Sequence, residues 1–381
     1  MSHEAVSQET AADRAAASGD PAGAARLLEA ALAEQPGRLA LWAKLAAMKR
    51  ALGDLPGGLE AIDHALALDP LNFSALLGRA LMLEQLRDPR AGEAFCNAVA
   101  QQPSDEEVPA AMREVLARAR QRSDEHRAVT EARMHAAAGD GSRSATVARF
   151  ISNASRRTRH YHQQPSHFHF PGLPEVEFHD RVAFPELDGL EAETAAIQSE
   201  FAALIGAQAA EIVPYIQYSD QAPLRQWQTL NHSRDWSAIH LIQNGRRIEA
   251  NASHCPATMA AIDKLPQPRI AGASPNAMFS LLAPHTRIPA HSGVANIRLV
   301  CHLPLIVPPG CGFRVGESII EWREGQAVVF DDTIEHEAWN DSDKLRVVLI
   351  LDLWPPALSP ADRAAAAEII PAAGVGFSGA L

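Results

Sequence analysis

Apolar side chains recur at the spacing of a helix through the first third of the chain, and the whole pattern repeats. The repeat is marked by the dipeptides Gly19-Asp20, Gly53-Asp54 and Arg87-Asp88, which follow one another every 34 residues. Glycine tolerates the left-handed backbone that ends a helix, and aspartate caps the free N–H groups that begin the next helix. Each dipeptide therefore predicts a junction between two helices.

A proline closes a similar phrase in each unit: AALAEQP, HALALDP and NAVAQQP. A period of 34 residues with a helix-ending proline is typical of tetratricopeptide-like repeats, which are pairs of antiparallel helices. About three such units are needed before the stacked pairs can bury their apolar faces. We therefore predict an all-α, tetratricopeptide-like solenoid over residues 1–120, followed by a connector over residues 121–164.

The second half of the chain changes to the pattern of strands after a helix predicted over residues 188–205. The predicted strands are Ser237–Gln243, Ala277–Leu282, Asn296–Ile306, Gly312–Val315, Ile319–Trp322, Ala327–Phe330, Glu337–Trp339 and Leu345–Leu353. Short strands with Pro- and Gly-rich separators favour a sandwich or a double-sheet jelly roll. We assign this mainly-β domain with flanking helices to residues 165–360, and a C-terminal tail to residues 361–381.

Composition narrows the class of protein. The net charge of −12 argues against a nucleic-acid binder, because phosphate contacts need a basic face. No apolar run approaches the roughly 20 residues that cross a bilayer. The polar, acidic amino end does not resemble a signal peptide, and the four cysteines are scattered. We expect a cytoplasmic protein with reduced thiols and no membrane span.

Two histidines, His291 and His336, lie next to predicted strands, 45 residues apart. Histidines at opposite ends of a jelly-roll core can converge on one interior point, which suits a non-haem iron(II) site with open positions. The usual third ligand is a carboxylate two residues after the first histidine, where this chain has Gly293. On spacing alone, a metal site and a pair of ordinary strand-end histidines are both compatible with the sequence.

Two arginines fall in apolar strands, where an unpaired charge is unfavourable. Arg346 begins the strand LRVVLILDLW, and Arg298 lies in ANIRLVCHL with His302 four residues later on the same face. A guanidinium can bind a carboxylate through two parallel hydrogen bonds. These residues predict a pocket for anionic ligands, the alternative being surface arginines paired with acids.

A separate tract, HYHQQPSHFHF, contains alternating histidines at 160, 162, 167 and 169. It looks like a metal cluster, but it contains no cysteine or carboxylate and lies in an irregular, proline-rich segment. We interpret it as a solvated or domain-packing stretch, with a ligand site as the less favoured alternative.

The stretch from Phe279 to Pro355 resembles the aspartyl/asparaginyl β-hydroxylase family of iron(II)- and 2-oxoglutarate-dependent oxygenases. The matching phrases are FSLLAPHTRIPAHSG, ANIRLVCHLPLIVP, GQAVVFDDTIEHEAWN and LRVVLILDLWPP. Weaker likeness covers roughly residues 165–360. The resemblance implies a double-stranded β-helix fold, also called a jelly-roll or cupin-like fold. It also implies a metal held by two histidines without a carboxylate, which accounts for Gly293.

Carried over residue by residue, the resemblance implies a role for each of several side chains. His291 and His336 would be the iron ligands, and Asp332 would be an acid close to the metal with a catalytic role. Arg346 would grip the distal carboxylate of 2-oxoglutarate. Help in holding 2-oxoglutarate would come from Ser280, His302 and Trp236. Contact with the substrate would come from Arg298. The chain departs from the animal enzymes at Val300, where they have a second strand arginine, so an acidic aspartyl substrate is in doubt.

The activity implied is that of a 2-oxoglutarate-dependent dioxygenase, with Fe²⁺ as cofactor and 2-oxoglutarate and O₂ as co-substrates. The substrate would carry an aspartyl or asparaginyl β-carbon or a related group. The solenoid would recruit a protein or peptide. The alternatives are a non-catalytic scaffold with a degenerate jelly roll, and a hydroxylase of a free amino acid or an acyl chain.

Overall fold

The computed structural model describes residues 3–104, 106–219, 221 and 223–374 of the 381-residue chain. It divides into two compact units, Met1–Thr158 and Arg159–Leu381. Of the predicted C-terminal tail, residues 375–381 lie outside the described residues. In the described part of the chain, every helix is too short or too polar to cross a membrane.

The first unit is helical. Its described helices are α1 (His3–Ala17), α2 (Pro21–Glu34), α3 (Leu39–Ala51), α4 (Leu55–Leu68), α5 (Phe73–Gln85), α6 (Ala91–Ala100), α7 (Arg113–Ala138) and α8 (Ala145–Ala154). The closest packing joins α1 to α2, α3 to α4, and α5 to α6. The predicted helical repeats are confirmed, because each unit of the 34-residue repeat coincides with one packed helix pair.

The junctions within the repeats have the predicted geometry. Gly19 and Gly53 both adopt a left-handed backbone with φ of 79°. Asp20 and Asp54 then accept the N–H three residues on, at 2.8 and 3.0 Å, and cap the following helix. In the third unit Arg87 occupies the glycine position with φ of 54°, a conformation that side chains seldom adopt.

The first unit extends beyond the predicted repeat domain. Residue 120 lies inside α7, which packs against α6 and buries Leu116 and Ala119. The predicted connector, residues 121–164, includes the rest of α7 and all of α8. The structural division falls between Thr158 and Arg159. The repeat pattern does not mark this boundary, because α7 lies beyond the last repeat and still packs its apolar face on the helical stack.

The second unit contains two antiparallel sheets. Its strands are β1 (Val213–Pro214), β2 (Trp236–Gln243), β3 (Arg246–Arg247), β4 (Ala277–Leu282), β5 (Thr286–His291), β6 (Leu299–Ile306), β7 (Cys311–Val315), β8 (Ser318–Ile320), β9 (Val328–Phe330), β10 (His336–Asn340) and β11 (Arg346–Leu353). One sheet has the order β1-β2-β4-β11-β6-β9, with β3 paired to β2, and the other has the order β5-β10-β7-β8. A helical region followed by antiparallel sheets confirms the predicted fold class at this level.

Strand β11 shows how the sheets create an interior. Val347, Leu349 and Leu351 join a core with the helices that cover the outer face of the larger sheet. Of the alternate residues, Arg346, Ile350 and Asp352 line a cavity. Because side chains on a strand alternate between its faces, one apolar-looking strand supplies both a core and two charged groups.

Five described helices accompany the sheets: α9 (Leu187–Ala192), α10 (Thr194–Gly206), α11 (Glu249–Ala252), α12 (Pro256–Ile262) and α13 (Pro360–Ala372). The helix predicted over residues 188–205 is interrupted near Glu193, but its predicted apolar side chains are buried together in the core. The predicted tail forms α13, which begins with a capping box at Ser359 and buries Ala366 and Ile370.

The strand predictions were wrong at one important place. The segment APHTRIP was predicted as a separator, whereas β5 begins at Thr286 within it and continues to His291. The hydrophobic pattern does not predict this strand, because Arg287 is exposed and Pro289 interrupts the alternation of apolar residues. The other predicted strands are present with ends shifted by a few residues.

Candidate active site

A cavity of about 410 Å³ lies in the second unit. Its lining residues come from strands of both sheets, including β2, β4, β6 and β11 of the larger sheet and β5, β7 and β10 of the smaller one. All seven side chains proposed from the sequence for metal, co-substrate and substrate, as well as Asp332, line this one cavity. The structure therefore brings the complete predicted set together.

His291 and His336 are directly opposite each other on β5 and β10, with ring centroids 4.0 Å apart. The Nδ1 of His291 is 2.8 Å from the carbonyl oxygen of Pro289, and that of His336 is 3.0 Å from the carbonyl oxygen of Ile334. A carbonyl oxygen only accepts, so each Nδ1 carries the proton and each Nε2 keeps its lone pair.

Burial keeps both rings neutral. It lowers the pKa of His291 to about 4, and it lowers the pKa of His336 well below its ordinary value, with the neighbouring His291 adding to the effect. A neutral imidazole whose Nδ1–H is fixed by a carbonyl is the form that binds a metal through Nε2. The pair could therefore hold a divalent ion.

The Asp332 carboxylate fills the space next to Gly293, which is the position of the usual carboxylate ligand. A Cβ built on Gly293 would lie 2.3 Å from Asp332 Oδ2, so no side chain fits at position 293 while Asp332 keeps its place. The backbone N–H of Gly293 also donates to the carbonyl oxygen of Asp332 at 2.6 Å. Gly293 is thus explained by close packing against the acid.

The Asp332 carboxylate itself is only partly satisfied. Oδ2 is 3.0 Å from the Arg298 guanidinium, whereas the buried Oδ1 has no hydrogen-bond partner. Burial raises the pKa of Asp332 to about 7, against the opposing effect of Arg298. Oδ1 is therefore free to accept a hydrogen bond from a group inside the cavity.

Replacing Gly293 by alanine should disturb this arrangement. The added methyl group would displace the Asp332 carboxylate, and overpacking of a buried site costs about 1–3 kcal/mol. We expect the midpoint of thermal unfolding to fall and any hydroxylase activity to drop at least tenfold. Gly189→Ala is the matched control, since nothing lies within 4 Å of its Cβ position. A Gly293→Ala protein as stable and active as wild type would contradict the packing argument.

Arg346 is a buried cation without a counter-charge. Its exposed fraction is 2%, and its Nε and Nη1 atoms have no hydrogen-bond partner. None of the carboxylates that the structure describes is paired with it, and its guanidinium carbon lies 5.6 Å from the Trp322 ring centroid. Burial lowers the pKa of Arg346 to about 10. Such a group predicts an anionic ligand, because an unpaired buried charge is strongly unfavourable.

Further unpaired polar atoms accompany Arg346. His302 Nδ1 and Trp322 Nε1 are buried without partners, and the two rings stack at 5.5 Å. Burial, together with the charge of Arg346, lowers the pKa of His302 well below its ordinary value. The Ser280 hydroxyl accepts the indole N–H of Trp236 at 3.2 Å. This end of the cavity offers donors suited to a carboxylate.

Arg298, by contrast, is fully engaged by acids. Its two terminal nitrogens lie 3.0 Å from Asp332 and 3.3 Å from Asp352. Asp352 is itself held by the Ser274 hydroxyl at 2.7 Å and by the backbone N–H of Asn276 at 2.8 Å. Although burial opposes it, the two negative charges raise the pKa of Arg298. A bridging guanidinium of this kind has little capacity left for an anionic substrate.

Trp236 lies beside the predicted metal ligands but has its own packing. Its ring stacks on Tyr215 at 4.0 Å and lies 6.4 Å from the His291 ring. Because its N–H is already donated to Ser280, the indole positions that hydroxyl.

Sequence reasoning missed two residues that line the cavity, Asp352 and Tyr215, and one, Trp322, that stacks on the cavity residue His302. Asp352 could have been found, because it lies on the same face of its strand as Arg346. Trp322 lay at the end of a predicted strand but had no signal of its own. Tyr215 precedes the strands in a stretch without a clear period.

Residues 191–356 match the sequence profile of the aspartyl/asparaginyl beta-hydroxylase family. The chain is 36% identical over 193 residues to the ornithine lipid ester-linked acyl 2-hydroxylase of Rhizobium tropici, covering 50% of this chain and 64% of that protein. It is also 36% identical over 138 residues to human aspartyl/asparaginyl beta-hydroxylase, covering 36% of this chain and 18% of that protein. The chain thus spans less than two thirds of the length of these curated relatives.

Helical structures also match. The Sgt2 TPR domain of Aspergillus fumigatus aligns with a TM-score of 0.29 at 21% identity, covering 32% of this chain and 82% of that domain. The match of the family profile falls on the unit that contains the cavity. The second unit of this chain therefore contains a region, residues 191–356, that is similar to the aspartyl/asparaginyl β-hydroxylase family.

Proposed function

We propose that the protein is an iron(II)- and 2-oxoglutarate-dependent dioxygenase that hydroxylates a neutral substrate group, and that its helical repeats recruit a substrate or partner protein. The observation that carries the proposal is the cavity itself. It combines two histidines with free Nε2 atoms and a buried arginine that lacks a counter-charge. The hydroxylase relatives support an enzyme of this general kind.

The residues present fit the proposed cofactor and co-substrate. His291 and His336 would hold Fe²⁺ through Nε2, leaving other positions of the ion open. Arg346, His302 and Ser280 would hold the distal carboxylate of 2-oxoglutarate. Bound iron would supply, with 2-oxoglutarate and O₂, the oxidising chemistry that hydroxylates a C–H bond and yields succinate and CO₂. The two-sheet architecture is consistent with a double-stranded β-helix.

The protein's own contribution is to position groups and to exclude water. The two carbonyls of Pro289 and Ile334 fix the imidazoles in one orientation. Arg298 holds the Asp332 carboxylate in place, so that its free oxygen can accept a hydrogen bond from a group beside the metal. Phe313 and Phe330 line the cavity next to His336 and keep that side apolar.

The charges in the cavity favour a neutral substrate. Of the described residues that line it, Arg346 is the single arginine or lysine without a carboxylate partner, and 2-oxoglutarate would occupy it. An aspartyl carboxylate would therefore meet no free cation, and Val300 offers none. An asparaginyl side chain or an acyl chain avoids this penalty.

The proposal is tested by incubating the purified 381-residue chain with iron(II), 2-oxoglutarate and ascorbate and with each of three substrate types. These are asparaginyl peptides, otherwise identical aspartyl peptides, and ester-linked acyl lipids. We expect a +16 Da product, with succinate release, from an asparaginyl or acyl substrate at least tenfold faster than from the aspartyl peptides. A preference for the aspartyl peptides would contradict the charge argument. Absence of succinate release under all conditions would favour the non-catalytic scaffold.

A scaffold with a degenerate site is the second candidate, but the cavity argues against it. Loss of His291, His336 or Arg346 would be enough to silence an oxygenase, and all three line the cavity. A buried, unpaired arginine is also unfavourable in a protein that has no anion to bind. A free amino acid as substrate is a third candidate, and the truncation below separates it from a polypeptide.

Removal of the first unit should separate recruitment from chemistry. A chain beginning at Arg159 should fold and turn over 2-oxoglutarate, because the whole cavity lies in the second unit. Turnover of a polypeptide substrate should fall at least tenfold, whereas turnover of a free amino acid should persist. Circular dichroism and succinate release provide the measurements. A truncated protein that fails to fold would show that the second unit depends on the first.

A further inference from the structure

The histidine tract near the start of the second unit has a geometry that the active site does not use. Tyr161 packs under the Arg159 guanidinium at 4.0 Å, while the histidines on either side of it approach each other. The ring centroids of His160 and His162 are 4.2 Å apart, and His160 Nδ1 lies 3.2 Å from His162 Nε2. Alternation along an extended backbone brings the two rings to the same side.

The fold supplies the carboxylate that this tract lacks in sequence. Glu175, at the far end of a proline-rich loop, places Oε2 3.0 Å from His162 Nδ1. One potential ligand atom from each of His160, His162 and Glu175 lies within 4.8 Å of the others. The tract therefore has no acidic residue next to it in sequence, but it gains Glu175 as an acidic partner in the folded chain.

The backbone beneath these three side chains is anchored to the rest of the second unit. Gln164 donates its N–H to the carbonyl oxygen of Thr333 at 2.8 Å. The side chain of Gln163 binds Asp331 and accepts from Asn296, and its backbone N–H donates to Glu175 Oε1 at 3.1 Å. Both ends of the loop are thus held together before any ligand arrives, which reduces the loss of entropy on binding.

We infer that His160, His162 and Glu175 form a second divalent-metal site, of the kind that takes Zn²⁺, on the surface of the second unit. Imidazole nitrogens and a carboxylate oxygen are the ligands that zinc accepts at about 2.0–2.2 Å. Two such atoms on one tetrahedral ion are about 3.3 Å apart, close to the 3.2 Å between His160 Nδ1 and His162 Nε2. Glu175 contacts the other ring nitrogen of His162, so its carboxylate would turn away from Nδ1 to reach an ion held at Nε2. The three side chains are exposed and can close around an ion, with water completing its coordination.

Without a metal, the three side chains can form a chain of hydrogen bonds that ends on the carboxylate, so the geometry alone has two explanations. They differ in one measurable way, which is stoichiometric metal binding at neutral pH.

The same tract also offers a matched control. His167 and His169 have the same residue type and a similar place in sequence, but His167 is engaged with the Ser166 hydroxyl at 2.8 Å and neither belongs to the cluster.

The experiment titrates Zn²⁺ alone into the 381-residue chain carrying His291→Ala and His336→Ala, so that this first pair of histidines cannot contribute. Competition with a chromophoric chelator gives stoichiometry and affinity, and circular dichroism confirms folding. We expect one zinc per chain, lost on further change of His160 and His162 to alanine. Glu175→Gln should weaken binding about 10- to 100-fold, and His167→Ala with His169→Ala should leave it unchanged.

Three results would overturn the inference. These are no stoichiometric zinc in the starting variant, undiminished binding after loss of His160 and His162, or equal loss in the His167 and His169 control. Because the assay reads metal binding and not turnover, its outcome is independent of the proposed oxygenase activity. Glu175→Gln keeps the size of the side chain, so it tests the site even if a double alanine variant folds poorly.

Discussion

Replacing Arg346 by methionine should abolish 2-oxoglutarate binding and, at the same time, stabilise the ligand-free protein. The first effect follows because a carboxylate left unpaired in a closed site costs about 2–5 kcal/mol, or roughly 30- to several-thousand-fold in affinity. The second follows because the Arg346 guanidinium is buried, lacks a carboxylate and leaves two nitrogens without hydrogen bonds. Relief of these unsatisfied groups should raise the free energy of unfolding by about 1–3 kcal/mol.

Calorimetric binding of 2-oxoglutarate and urea unfolding measure the two effects on one protein. Arg287→Met is the control, because Arg287 lies on β5 but is exposed and paired with Asp341 at 2.7 Å; it should change neither quantity appreciably. Arg346 would thus make 2-oxoglutarate binding possible and lower the stability of the ligand-free protein. Such a trade-off is expected where binding needs an unfavourable buried group. Unchanged 2-oxoglutarate affinity in Arg346→Met would remove Arg346 from the binding site.

Replacing either His291 or His336 by alanine should eliminate stoichiometric iron(II) binding and reduce succinate release at least a thousandfold. Each ring supplies one of two proposed protein ligands, and one remaining histidine cannot hold the ion in place. The fold should survive, because each ring makes one hydrogen bond to a backbone carbonyl, and loss of such a bond costs about 1–3 kcal/mol.

His240 provides the comparison for this pair. It is a histidine of the same cavity, buried enough that its pKa is lowered, but it lies on β2 away from the proposed ligands. His240→Ala should therefore retain iron(II) binding measured under anaerobic conditions. Retention of iron by both His291→Ala and His336→Ala, or a third protein ligand found in a metal-bound structure, would contradict the two-histidine site.

Much of the fold could be predicted from sequence because the signals are local. The 34-residue period depends on glycine and aspartate at fixed places, and both act through their own backbone. Strands β4 and β11 consist mainly of apolar residues, and every residue of the two strands except Ile350 is buried. Strand β5 was missed because its residues are partly exposed and it contains Pro289, so its pairing with β10 and not its own pattern makes it a strand.

The candidate site shows a similar division between local and long-range information. Spacing and strand alternation predicted a pocket containing the histidine pair and Arg346, with ordinary strand-end histidines and surface arginines as the alternative, and the family resemblance added Asp332, Ser280 and Trp236. What sequence could not give is the pairing between distant groups. The close approach of Gly293 to Asp332, the double bridge made by Arg298 and the contact of Glu175 with the histidine tract all depend on tertiary packing.

We propose that this cavity binds 2-oxoglutarate through a metal at one end and Arg346 at the other. The decisive measurement is calorimetry, under anaerobic conditions, of the 381-residue chain loaded with iron(II). We predict one 2-oxoglutarate per chain, with binding that is lost without metal and lost again in Arg346→Met. Failure of the iron-loaded wild-type protein to bind 2-oxoglutarate, or equal binding with and without metal, would contradict the account.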